Sequence, residues 1–86
     1  MIHKVDSPVS VGVSFDHKKG KAIPRWVFWE GRLHGISKIG LHHSYRSGRT
    51  LFHIFSVTTK TLFFRLKLDT ESLLWRLEET DDGLPD

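Results

Sequence analysis

His42, His43 and His53 are the side chains in this chain best suited to moving protons, and Arg46 and Arg49 follow closely enough to stabilise charge on a phosphate. Histidine acid and base beside cations is the chemistry of a small metal-independent ribonuclease, and these five residues are a minor alternative set for it. In the register preferred below, His43 and His53 become neighbours, but zinc needs a third and usually a fourth ligand that the surrounding sequence does not supply. The chain has no Cys, and Glu30 is the only acid between His17 and Lys67. Thiolate metal sites and paired carboxylates are therefore missing from the folded body. No Gly-x-Ser-x-Gly elbow, phosphate-binding Gly-rich loop or His-Glu-x-x-His pattern occurs either. The expectation is a non-enzymatic protein with no cofactor and no metal.

A second constellation suits binding. Trp29, Phe52 and Phe63 fall among Arg32, Lys38, His42, Arg65 and Lys67, while Arg46 and Arg49 flank a hairpin tip. Single-stranded nucleic acid asks for this mixture, because bases stack on rings while Lys and Arg neutralise phosphates. Charge is divided accordingly: His17 to Lys67 carries eleven Lys/Arg against one acid, and Asp69 to Asp86 carries seven acids against Arg76. A basic body with an acidic end can signal a polyanionic partner for whose surface that end competes. The expected partner is single-stranded nucleic acid or a nucleic-acid-associated protein. The alternative is a protein-interaction module using the same face or a sheet edge. A purely structural reading places Phe52, Ile54 and Phe63 in a second small core of a closed barrel.

The elements that must position these residues read as strands. With 86 residues there is room for one domain, expected over 1–79, with 80–86 as a mobile acidic tail. No run approaches the roughly 20 apolar residues that span a bilayer, so a cytoplasmic protein is expected, its oligomeric state open. Val9, Val11, Val13 and Phe15 alternate with small residues. Arg25 to Trp29 follows, and Glu30-Gly31 makes a two-residue hairpin that pairs Trp29 with Arg32 and Phe28 with Leu33. A continuous strand then carries Leu33, Ile39 and Leu41 on the face of Trp26 and Phe28, with Gly40 a candidate bulge. Val27 and Trp29 fall on the opposite face with His34, Ile36 and Lys38.

For the next hairpin a three-residue loop ending in Gly48 is preferred, since it keeps Leu41, His43 and Tyr45 on the face of Leu51, His53 and Phe55. Thr59-Lys60 and Asp69 to Ser72 make the remaining turns, aligning Val57 with Leu62 and Leu66 with Trp75. Thr70 to Glu79 reads as a strand, with a helix carrying Leu73, Leu74 and Leu77 as its competitor. The fold class is all-β: an antiparallel meander of about six strands forming a strongly bent sheet or a small, partly open barrel. Its expected core is Trp26, Phe28, Leu33, Ile39, Leu41, Leu51, Phe55, Val57, Leu62, Phe64, Leu66, Leu68, Trp75 and Leu77.

The stretch Trp29-Glu30-Gly31-Arg32-Leu33-His34, with Phe64-Arg65-Leu66, Asp69 and Trp75-Arg76-Leu77, resembles a family of small bacterial β domains of unknown function. Such domains occur alone or appended to inactive relatives of translesion DNA polymerases. The likeness runs over about residues 24 to 79 and does not extend to the His-His pair or the acidic end. It implies a DNA-repair or nucleoprotein setting and supplies no catalytic residue.

Overall fold

A computed structural model describes residues 1–84, and they form seven antiparallel strands in one bent sheet that does not close into a barrel. The strands are β1 (Ile2–Asp16), β2 (Lys21–Trp29), β3 (Arg32–Gly35), β4 (Lys38–Ser47), β5 (Thr50–Thr58), β6 (Phe63–Asp69) and β7 (Trp75–Asp81). Their spatial order is β3-β2-β1-β7-β6-β5-β4. Two meanders are thus joined through the long first strand, which pairs with β7 over Ile2 to Val9 and with β2 over Ser10 to Asp16. Among the described residues no helix is long and apolar enough to cross a membrane.

The inner face of the bend holds the core: Val27, Phe55, Val57, Phe64, Leu66 and Leu77 are buried, with Val5, Val9, Val11, Trp29, Ile36, Ile39, Leu62 and Trp75 packed against them. Truncating a buried side chain such as Leu66 to alanine typically costs about 2–5 kcal/mol, a large share of a small domain's stability.

The turn chemistry explains the hairpins. Glu30 and Gly31 both have positive φ, 52° and 71°, as a type I′ turn requires, and Trp29 pairs with Arg32 as expected. Gly48 (φ 61°) and Arg49 instead form the two-residue turn between β4 and β5, closed by the pair Ser47–Thr50. The expected three-residue loop is therefore wrong. Its replacement changes the register by an odd number, so Leu41, His43 and Tyr45 move to the outer face while His42 joins Phe55 inside. The bulge at Gly40 is real. It restores the phase, so that Ile39 still pairs with Val57 and packs on the core.

A second correction concerns β2 and β3. The run from Arg32 to Tyr45 is not one strand; it breaks at Ile36-Ser37, and β3 and β4 lie at opposite edges of the sheet. That break severs the face assignment on either side of it. Val27 is buried, whereas Trp26, Phe28, Leu33 and Leu41, all expected in the core, are exposed. The link itself stitches the bend: Ile36 N–H donates to Arg25 O (2.9 Å) and Ser37 N–H to Thr58 O (2.8 Å).

The later hairpins each differ from expectation by two residues, which leaves faces unchanged. Val57 pairs with Phe64, Leu66 with Leu77 and Leu68 with Trp75. Leu73 and Leu74 consequently fall in the loop and are exposed. Asp69 organises that loop, accepting from Glu71 N–H (2.9 Å) and Ser72 N–H (3.1 Å). These backbone donors, Ser72 first, hold its carboxyl below the usual carboxylate range.

Trp75 to Asp81 is a strand, with no helix over this region. The expected tail boundary at Thr80 falls inside β7, where Thr80 is buried opposite Phe64. Asp81 and Asp82 accept from the N-terminal ammonium of Met1 at 3.2 and 3.0 Å. Pro85 and Asp86, also assigned to that tail, lie outside the described residues.

Candidate nucleic-acid interface

The outer face of the β4–β5 hairpin and β6 gathers the aromatic and basic residues. Tyr45 and Phe52 are cross-strand partners, and their rings stack with centroids 5.4 Å apart and 27° between planes. Lys67, from β6, carries its ammonium 4.3 Å from the Phe52 centroid and 6.0 Å from that of Tyr45. A cation over a ring face is attracted by the ring quadrupole, and here it also holds positive charge beside a stacking surface. Tyr45 is 40% exposed, so its ring remains open to solvent. Next to this cluster is a groove of about 290 Å³ lined by Pro8, Phe52, Lys67, Leu74, Trp75 and Arg76, among others.

Arg49 lies in the turn at the hairpin tip, and Arg46, paired with Leu51, is exposed just before it. Among the described residues neither makes an ion pair. Arg65 is on the same outer face but differently occupied: its guanidinium lies 3.2 Å from Glu78 and 3.9 Å from Glu79. Arg76 is likewise engaged, its side chain bonded to the Asp6 carboxylate and, at 2.9 Å, to the Asp6 carbonyl. The acidic end of the sequence thus enters the sheet as β7 and sets Glu78 and Glu79 against Arg65, while N-terminal Asp6 engages Arg76.

The other expected binding residues scatter. Phe63 is 52% exposed at the far end of β6, paired with Thr58, whose other neighbour is Lys38. Trp29 is inside, packed edge-on against Phe64 at 5.8 Å, and Arg32 pairs with it at the β2–β3 turn, beyond the strands that carry Phe52. Trp29 therefore offers no platform beside Phe52. His42 is on the inner face, stacked on Phe55 (4.1 Å, 9°). Of the ten expected residues, the structure brings Phe52 and Lys67 together on the outer face and leaves Arg49 in the adjoining turn, while Arg46, one residue after outward Tyr45, falls on the inner face with His42. It adds Tyr45, which sequence reading assigned to the opposite face. The signal for Tyr45 was present in the turn: a Gly48-Arg49 loop places it opposite Phe52.

The histidines separate as well. His42 Nε2 lies 2.8 Å from His53 Nδ1, so one imidazole donates to the other, whereas His43 points to the other face opposite Ile54. The anticipated His43–His53 pair does not form. Burial, reinforced by the charges of His53, Lys21 and His43, pushes His42 below the ordinary histidine range. Among the described residues, no group of three or more His, Cys, Asp or Glu side chains is arranged to hold a metal ion.

No protein-family model, no curated protein and no solved structure matches this chain. Function must be argued from the site.

Proposed function

We propose that this chain is a non-enzymatic binding domain that holds single-stranded nucleic acid on the outer face of β4, β5 and β6. The observation that carries the proposal is the stacked Tyr45–Phe52 pair with the Lys67 ammonium 4.3 Å from the Phe52 ring. A base laid on Tyr45 gains stacking beside the Lys67 ammonium, and its phosphates run towards Arg49 in the turn at the hairpin tip. Aromatic–base stacking contributes about 1–3 kcal/mol per base. The engagement of Arg65 with Glu78 and Glu79 shortens the track, so the footprint is a few nucleotides around the hairpin. The setting that goes with this reading is the one the family resemblance implies, a bacterial cytoplasmic nucleoprotein or DNA-repair complex.

Fluorescence anisotropy with a labelled oligothymidylate, across a salt series, tests it. The expected result is binding whose logarithm falls linearly with log salt, at about 0.7 per phosphate contacted. Absence of salt-sensitive binding at tens of micromolar protein removes the proposal. A second reading, a protein-interaction module, is favoured by one observation: β4 is an exposed edge strand of ten residues.

A further inference from the structure

The cations of this molecule are partnered at one place and unpartnered at another. Beside β7, Arg65 faces Glu78 and Glu79, and Arg76 is held by Asp6. Along β4, Lys38, His43 and Arg46, with Arg49 in the turn, make no ion pair among the described residues. Glu30 is the only acid between His17 and Lys67, so no neighbour in sequence offsets them. Glu71 approaches this hairpin at Thr50 of β5, whose hydroxyl donates to it (2.8 Å). Lys21, at the start of β2, is near enough for its charge to act on His42. β4 also carries an open edge. It is last in the sheet order, and apart from β5 no strand brings a Cα atom within 8 Å of it. From Leu41 to Ser47 every residue is exposed, and the ladder to β5 runs without a bulge.

The turn decides which backbone groups of that edge are free. In a two-residue hairpin the closing pair, here Ser47–Thr50, exchanges both of its hydrogen bonds, and the pattern then alternates along the ladder. Ser47, Tyr45, His43 and Leu41 therefore bond to β5, and Arg46, Ser44 and His42 direct N–H and C=O away from the sheet. The partner of Arg46 agrees with this phase: Leu51 turns its carbonyl towards Thr70, which donates to it through both N–H and hydroxyl. The residues with free backbone groups are thus the ones whose side chains lie on the inner face.

We infer that the Leu41–Ser47 edge of β4 docks an acidic, extended segment of another protein, which adds to the sheet as a further antiparallel strand. In strand addition the backbone supplies the bonds and alternate side chains supply the specificity. Directly opposite residues share a face, so the residues that bond to His42, Ser44 and Arg46 put their side chains on the inner side. Acids at those alternate positions meet Arg46 and approach Lys21 beside His42. A basic strand would set like charges opposite each other, which is destabilising. At the intervening positions, β-branched apolar residues lie beside Leu41 and Tyr45, both exposed on the outer face. The inference deepens the protein-interaction reading and does not depend on nucleic acid binding at Phe52 and Lys67.

The probe is a capped, labelled heptapeptide of alternating Val and Glu, with Glu at its second, fourth and sixth positions. Titrated with the intact chain at low salt and read by anisotropy, it should bind with a Kd on the order of 100 µM. The same peptide with Lys for Glu should not bind. Methylating the Glu amide nitrogens, which face β4, should abolish binding, whereas methylating the Val amides should change it less than about twofold. Ser44→Pro removes one outward N–H at a position where an edge strand tolerates proline, and should weaken the peptide at least about tenfold with an unchanged circular dichroism spectrum. Arg46→Glu, which leaves the backbone alone, should weaken the Glu peptide and take up the Lys peptide. No binding of the Glu peptide at about 500 µM chain overturns the inference. Equal binding of the Glu-methylated peptide, the mark of charge attraction alone, overturns it too, as does a folded Ser44→Pro or Arg46→Glu chain that binds like wild type. Oligothymidylate is titrated into the same variants. If Ser44→Pro loses oligothymidylate along with the peptide, the edge belongs to nucleic acid and the inference falls. If oligothymidylate binds wild type and the peptide does not, the inference falls alone and the nucleic-acid reading stands.

Discussion

Both ends of this sheet turn aromatic side chains to solvent, but in different company. On the outer face of β2 and β3, Trp26, Phe28 and Leu33 are exposed above small residues, and the Trp26 indole lies directly over Gly12. On the outer face of β4 to β6, Tyr45 and Phe52 stack beneath a lysine, near a hairpin turn that carries Arg49. Aromatic exposure alone is apolar surface. Aromatic exposure with a cation held against the ring is a surface that can take a base and its phosphate together. The comparison teaches that charge placement, more than ring count, separates the candidate binding end from the other.

The largest effect on binding is expected at the rings. Phe52→Ala and Tyr45→Ala should each weaken oligonucleotide binding by about 1–3 kcal/mol, while Phe28→Ala should change it less than about twofold. Equal losses at both ends, measured by anisotropy, would erase the distinction. Gly12→Val should act on stability instead. A Cβ there would lie 2.0 Å from the Trp26 ring, so the indole must move, at about 1–3 kcal/mol in chemical denaturation. Oligonucleotide affinity should be unaffected.

Smaller changes should follow from charge. Lys67→Ala should lower the salt slope by about 0.7, the signature of one lost phosphate contact. Replacing both partners, Glu78→Gln with Glu79→Gln, should raise affinity modestly by freeing Arg65, and an unchanged salt slope would show that Arg65 stays outside the footprint. The smallest effect is expected from pH. The folded pKa of His42 lies below the unfolded value of about 6.5, so on acidification the unfolded chain takes up this proton first. The contribution of His42 to stability is complete above that value and is lost as pH falls from it towards the folded pKa. Denaturation midpoints should therefore drop between pH 7.5 and 5.5, and less so in His42→Phe.

Much of the fold is legible where errors are forgiving. In β5, β6 and β7 the inner face is Phe55, Val57, Phe64, Leu66 and Leu77 under either register, because displacements of two residues leave side chains on the same face. The Glu30-Gly31 turn fixes its own hairpin for the same local reason. The β4–β5 hairpin is not forgiving: one residue of loop length decides whether Tyr45 or His42 faces Phe52. The apolar pattern favoured Leu41 inside, and the Gly40 bulge lets Ile39 serve in its place. Nothing local to Ile36-Ser37 announces that β3 and β4 belong to opposite edges, since the link is fixed by hydrogen bonds to distant Arg25 and Thr58. Ile2 to Pro8 was unreadable as strand because Val5 is its single core-packed side chain and Asp6, at φ 47°, interrupts the alternation. The candidate site was half legible, with Phe52, Lys67 and Arg49 singled out by type, Tyr45 hidden by the register and Arg46 carried by it to the inner face.

The most direct test is an amide-resolved NMR titration of the intact chain with a short oligothymidylate at low salt. The predicted result is that shifts concentrate at Tyr45, Arg46, Arg49, Phe52 and Lys67 and fade as salt is raised. Shifts that concentrate instead at Trp26, Phe28 and Leu33, or none at saturating oligonucleotide, would contradict the assignment of the binding end.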